Sequence, residues 1–219
     1  MNKLRTISDI QNHLNDELGW RIQEIDNLKK VIPRVDSIQT RSLLRAGVPI
    51  LYAHWEGFVK KSSEAYLNFV AHQGLSYREL KTCFILFGLK TEIEQLVETK
   101  KITPNIQVAN FFLEQLDEKA KIFYKGVINT QSNLSSLVFE EIARSIGIDH
   151  KPYKLKYKLI DESLLKRRNQ IAHGEYLDID TQGYQNLSYE VVALIRAYKT
   201  DIENSIALES YKSSFKSSL

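Results

Sequence analysis

With 219 residues, 43% of them apolar and 26% charged, the chain has the make-up of an ordinary globular protein large enough for one substantial core. A net charge of +3 sets up no global field that demands a nucleic acid, so any basic surface must be local. The single cysteine, Cys83, excludes an intramolecular disulfide and a cysteine-based zinc site and reads as a small core residue. Nine glycines and four prolines, with long stretches free of both, favour an all-α chain. The first residues, Met1-Asn2-Lys3-Leu4-Arg5, lead into a polar helix rather than an apolar signal segment. No apolar run approaches the roughly 20 residues that span a bilayer, so a cytoplasmic protein without a membrane partner is expected.

Taken in chain order, Ile10, Leu14, Leu18, Ile22, Ile25 and Leu28 give a first helix from Ser8 to about Ile32, capped by Thr6 or Ser8 and ended by Pro33. A longer helical stretch runs from about Ser37 to His72. Its wide apolar surface marks the central helix, and Pro49 is expected to kink or split it after Ala46-Gly47. Three shorter pieces follow: Ser76–Phe87, Thr91–Glu98, and Asn105 or Ile106 to about Ala120. Together they suggest a helical insertion at about 76–128 within a single domain spanning 1–219. A polar loop from Asn129 to Ser136 precedes a helix over Leu137–Ile146, which Ser135 or Ser136 caps and Gly147 closes. From His150 to Leu159, apolar residues alternate with Lys154, Lys156 and Lys158, a strand-like period of two. One isolated strand would have nothing to pair with, so an extended basic segment docked on the bundle is expected. The next helix spans Asp161 or Ser163 to His173, and the last spans about Thr181–Leu208.

The run Arg168-Asn169-Gln170-Ile171-Ala172-His173-Gly174 stands out. At 100° per residue, Ile160, Leu164, Leu165, Ile171 and Ala172 share one arc, with Arg168 at its centre and Asn169 on its edge. An arginine is almost never buried alone, so it must face a partner, an interface or a ligand. Asn169 and His173 share one helix face, whereas Arg168 points about 100° away from Asn169. A single helix does not easily bring Arg168 and His173 onto one ligand, but two copies about a two-fold axis do. Gly174 fits a helix C-terminus, and an imidazole there suits proton transfer near neutral pH. The alternative is structural: Arg168 paired with a carboxylate, His173 a capping residue.

The pattern Arg168-Asn169-x-x-x-His173 resembles the motif of the HEPN superfamily, helical bundles that include many metal-independent, dimeric ribonucleases. A second run, Leu51-Tyr52-Ala53-His54-Trp55-Glu56-Gly57-Phe58-Val59-Lys60, is similar to the early core helix of the stand-alone bacterial MAE-type branch, found among defence and toxin-like systems. The resemblance implies an all-α HEPN-like bundle forming a homodimer. It also implies an endoribonuclease of a defence or toxin–antitoxin system, with an antitoxin or defence protein as a further partner and no cofactor or metal. In that chemistry the ribose 2′-hydroxyl attacks the adjacent phosphate. His173 is general base or acid, Arg168 stabilises the phosphorane, and Asn169 orients His173 or the phosphate. His54 and Glu56 are possible supporting residues. Lys151, Lys154, Lys156, Lys158, Lys166 and Arg167, interleaved with Tyr153 and Tyr157, suit single-stranded RNA. The rival implication is a non-catalytic HEPN module that binds RNA, a nucleotide or a partner protein.

Overall fold

The computed structural model describes residues 3–33, 35–90, 93–94 and 102–213. Among these, helices are joined by loops, and β-pairing is limited to two isolated bridges, Ser76 with Lys119 and Leu80 with Lys212. The fold is an all-α bundle. Helix α1 (Ile7–Val31) starts in a capping box: Thr6 Oγ1 accepts from the Asp9 amide, and the Asp9 carboxylate accepts from the Thr6 amide. The amides of Thr6 and Arg5, both donating to it, hold the Asp9 carboxyl below its ordinary range. Helix α2 (Ile38–Ala71), capped by Ser37, is the centre of the molecule. It packs on α1, on α7 (Thr181–Ala207) and on the segment that carries Arg168.

Of the two expected effects of Pro49, a kink or a split, the split does not occur; one helix runs through it. The ring removes a single donor, at a cost of about 3 kcal/mol in a helix interior. Leu44, Val48, Leu51, Tyr52 and Trp55 flank it and are all buried, each worth about 1.5–3 kcal/mol if fully buried. Burial on both sides of the proline outweighs the lost bond.

The region between α2 and Ser136 is less helical than its sequence pattern suggests. Ser76–Phe87 forms only α3 (Thr82–Gly88) as helix. Ahead of it the backbone amides of Tyr77, Arg78 and Lys81 donate to Glu118, Leu116 and Tyr211, so these residues serve tertiary pairing rather than a helix ladder. The expected helix Thr91–Glu98 lies largely outside the described residues. Helix α4 (Thr103–Glu114) is shorter than expected, and the chain from Gln115 to Ser135 has no helix. Helix α5 (Ser136–Ser145) is capped by Ser135.

The segment from His150 to Leu159 is not extended. It forms a 3₁₀ helix over Lys151–Lys156 and runs on into a π-helix over Leu159–Lys166 and α6 (Arg167–Ala172). Pro152 is tolerated because it sits in the first turn. The period-two alternation is absorbed by a helix with three residues per turn, which buries Tyr153 and leaves Leu155 at the surface.

Close packing of α7 on α2 rests on Gly47, where an added Cβ would lie 2.6 Å from the ring of buried Tyr184. Gly47→Ala is expected to lower stability by about 1 kcal/mol or more in urea denaturation, because overpacking costs about 1–3 kcal/mol and exceeds the helix-propensity gain. Gly19→Ala in α1, with nothing within 4 Å of the new methyl, should instead stabilise by up to about 1 kcal/mol.

Candidate active site

Arg168 sits one residue into α6, directly after the π-helix. The π-helical stretch is fixed at its start by Asp161, whose carboxylate accepts from the amide and hydroxyl of Ser136 at 2.7 and 2.6 Å. Bonding from i to i+5 widens each turn, so the residues beyond it fall behind an ideal α-helical projection. Ile160 and Leu164 are buried, Leu165 and Ile171 are half-buried and Ala172 is exposed. Helix α6 contains no buried residue. Arg168 is therefore not sunk in an apolar stripe; it lies half-buried across the flank of α2.

Its guanidinium carbon is 4.3 Å from the centroid of the buried Tyr52 ring. Its Nη2 donates to the Ser132 carbonyl at 2.7 Å and to Asn133 Oδ1 at 3.1 Å. The loop that offers these acceptors is held open by two consecutive non-glycine residues in the left-handed region, Gln131 (φ 54) and Ser132 (φ 55). Gln131 is fixed by a bond from its amide to Asn129 Oδ1, and the Leu134 amide donates to the Tyr52 hydroxyl at 2.6 Å. Burial pushes the Tyr52 hydroxyl pKa up; the bonds to Arg168 and Leu134 oppose this, and Glu56 beside it adds to the rise. Nη2 thus fixes the plane of the guanidinium. Buried Nε has no hydrogen-bond partner.

At the other end of α6, His173 is the C-cap residue and is exposed. A Schellman turn follows: the Gly174 amide donates to Ile171 and the Glu175 amide to Gln170, with Gly174 at φ +77. Among the described residues the side chains of Asn169 and His173 make no hydrogen bond, while the Asn169 carbonyl accepts from the His173 amide at 2.9 Å. Arg45 of α2 anchors the turn by donating from Nη2 to the Glu175 carbonyl at 2.9 Å. Arg168 and His173 are five residues apart, about 140° around an α-helix, and one copy of the chain does not bring them together on a single face.

The supporting residues divide. Glu56 joins the Tyr52–Arg168 cluster, whereas His54 faces α1, with its ring 5.3 Å from Trp20 and Nε2 3.0 Å from Glu24 Oε2. Of the basic set, Lys151, Lys154, Lys158 and Lys166 are exposed, Arg167 is half-buried, and Lys156 pairs with Glu190 at 2.6 Å. The interleaved tyrosines do not serve as stacking platforms. Tyr153 is buried against Phe139 and donates to Asp201, and Tyr157 donates to Glu140. Tyr52, Arg45, Ser132 and Asn133 lie far from the Arg168–His173 run in the chain, and nothing in that run points to them. Arg45, a cation between Leu44 and Val48, carried the same signal as Arg168. Among the described residues no group of three His, Cys, Asp or Glu side chains is placed to hold a metal ion, and no helix is long and apolar enough to cross a membrane.

Burial pulls the His54 pKa down, Arg21 lowers it further, and Glu24 opposes both. A histidine whose folded pKa lies below its unfolded value of about 6.5 favours folding fully above that pH and loses the contribution as pH falls below it. Unfolding free energy should therefore drop on acidification below about pH 6.5. His54→Gln should flatten the drop in a comparison of urea midpoints across pH; an unchanged slope would remove His54 as its source.

The RiboL-PSP-HEPN family model matches residues 16–204. No curated protein and no solved structure was found to match. The match confirms the HEPN resemblance but does not single out the MAE-type branch. It covers 189 of the 219 residues, taking in α2, the Tyr52 cluster and the Arg168–His173 run. The chain belongs to the RiboL-PSP-HEPN family.

Proposed function

We propose that the protein is a metal-independent endoribonuclease whose active site is completed by a second copy of the chain, working in a bacterial defence or toxin–antitoxin system. HEPN domains are often ribonucleases and commonly bind RNA and act as dimers. The observation that carries the reading is the contrast along α6. The Arg168 guanidinium is held rigidly by Tyr52, Ser132 and Asn133, while the side chains of half-buried Asn169 beside it and of exposed His173 at the C-terminal end make no hydrogen bond among the described residues. A donor group fixed before substrate arrives needs no reorganisation as charge develops, and an uncommitted imidazole is free to move protons.

In the reaction the ribose 2′-oxygen forms a bond to phosphorus and the bond to the 5′-oxygen breaks. The His173 imidazole of one copy accepts the 2′-hydroxyl proton and that of the other protonates the departing 5′-oxygen. The products are a 2′,3′-cyclic phosphate and a 5′-hydroxyl. Arg168 donates to the phosphorane oxygens with the part of its fork not spent on the loop. The nucleophile belongs to the substrate, so the step calls for no metal, and DNA, which lacks the hydroxyl, is not cut. The exposed Lys151, Lys154, Lys158 and Lys166 supply contacts to the RNA backbone. A second reading, a non-catalytic module binding RNA, a nucleotide or a partner protein, is favoured by the engagement of Arg168 Nη2 within the chain.

Purified protein is expected to cleave single-stranded RNA in EDTA and leave cyclic-phosphate ends. His173→Ala should reduce the rate about 10²–10⁴-fold and Arg168→Lys about 10²-fold or more, with the fold checked by circular dichroism. Undiminished cleavage by His173→Ala, or a strictly monomeric active enzyme, would overturn the assignment. RNA binding without cleavage at any enzyme concentration would establish the second reading.

A further inference from the structure

Beside the turn that follows His173 lies an open cleft of about 490 Å³, bordered by Asp36, Arg41, Tyr176, Asp178, Asp180 and Gln182 among others. Its size falls in the range of small-ligand sites, about 300–1,000 Å³. Two of its three aspartates are already engaged. Asp36 accepts from Arg41 Nε and Nη2 at 2.8 and 2.5 Å, and Asp180 caps α7 through the Gly183 amide. Asp178 accepts no hydrogen bond among the described residues and remains an open acceptor. Gln182 donates from Nε2 to Asn186, which leaves its carbonyl oxygen as a further acceptor. Tyr176 is a large aromatic kept 69% exposed, with the Arg45 guanidinium 5.9 Å from its ring centroid.

An aromatic wall, an open carboxylate and a guanidinium with one nitrogen uncommitted suit a flat ring that both donates and accepts hydrogen bonds. Three carboxylates make the cleft a poor phosphate site, which turns the reading from the RNA backbone to a base. Among the four bases only guanine offers two adjacent donors, N1–H and the N2 amino group, to a carboxylate. Its O6 and N7 match an arginine, and its face stacks on a tyrosine. Tyr176 is three residues beyond His173, so their Cα atoms lie at most about 11 Å apart, within reach of a base that flanks the scissile phosphate. We propose that this cleft is a guanine-binding subsite: Tyr176 stacks on the base, Asp178 accepts from N1–H and N2–H, and Arg41 donates to O6 or N7. The proposal rests on the ribonuclease reading in taking RNA as the ligand and in setting the scissile phosphate beside His173.

The test uses the full chain carrying His173→Ala, so that RNA stays intact, and uridine hexamers with one central guanosine, inosine, adenosine or cytidine. Affinities are read by fluorescence anisotropy. The guanosine hexamer is expected to bind about 10-fold or more tightly than the others, inosine included because it lacks the N2 amino group. Asp178→Asn should abolish the guanosine-over-inosine difference while leaving affinity for the adenosine and cytidine hexamers unchanged. Tyr176→Ala should weaken guanosine binding, and Tyr176→Phe should restore it. Equal binding of guanosine and inosine, or discrimination that survives Asp178→Asn, overturns the subsite. Unmutated protein that cleaves RNA without preference for guanosine also overturns the subsite and leaves the ribonuclease reading standing. Guanosine-selective binding without cleavage does the reverse.

Discussion

Helix α2 is the most deeply buried element, and the helices around it are arranged by the need to cover its apolar residues. Its buried residues run from Thr40 to Val70 and include Leu51, Trp55, Phe58 and Leu67. Burying a polar group costs free energy that a partner offsets, so the buried polar side chains of α2 help select its neighbours. Ser63 meets the Tyr198 hydroxyl of α7, and Glu64 accepts from the Gly126 amide of the long loop. His54 meets α1 at Glu24, and Tyr52 meets the Ser132–Leu134 loop and Arg168. Hydrophobic burial supplies the drive, and these contacts supply the register.

The Tyr52 contact carries the candidate site, and magnitudes show why loop and arginine depend on each other. Non-glycine residues in the left-handed region cost about 1 kcal/mol or more each, and Gln131 and Ser132 both sit there. A hydrogen bond to a charged group returns about 1.5–3 kcal/mol, and a guanidinium over an aromatic face about 0.5–2 kcal/mol. The strain of the loop and the stabilisation from Arg168 are of the same order. Without the arginine the loop keeps its bonds to Asn129 and Tyr52 but loses the contact that offsets part of its strain. Without the loop, the guanidinium keeps only Tyr52 beneath it. A side chain held in this way is aimed before any ligand arrives.

Much of this architecture was legible in the sequence. Helices α1, α2, α5 and α7 are readable because apolar residues recur at helical spacing along them, with Thr6 and Ser135 marking the starts of α1 and α5. What escaped notice is what local pattern does not encode. Pro49 signals a break by every local rule, and burial on both sides overrides it. The lysine alternation of 153–159 imitates a strand because a 3₁₀ helix with three residues per turn also separates neighbours onto different sides. The π-helix left a faint trace, apolar pairs at a spacing of five (Leu159 with Leu164, Ile160 with Leu165), masked by the equally good spacing of four between Ile160 and Leu164. The motif residues themselves were visible, whereas their supports Ser132 and Asn133 lie over 30 residues away and only the fold brings them near.

The π-helix also explains why the two ends of the motif face differently. By widening the turn just before Arg168 it sets that side chain against α2 instead of into the core, and the Schellman turn then ends the helix at His173 before the chain can come round. Arg168 is thereby spent partly inward and His173 wholly outward. A single copy offers a fixed cation on one side and a free imidazole on another, with no buried residue on α6 between them. Under the ribonuclease reading a two-fold axis beside α6 resolves the divergence, since it sets each copy's histidine against its mate and covers the thinly packed helix at once. In such a pair Lys166, Arg167 and Arg168 of both copies would lie near the shared axis, a concentration of like charge that would oppose association in low salt. A bound phosphate backbone neutralises it, so substrate binding and dimer formation become linked, each favouring the other.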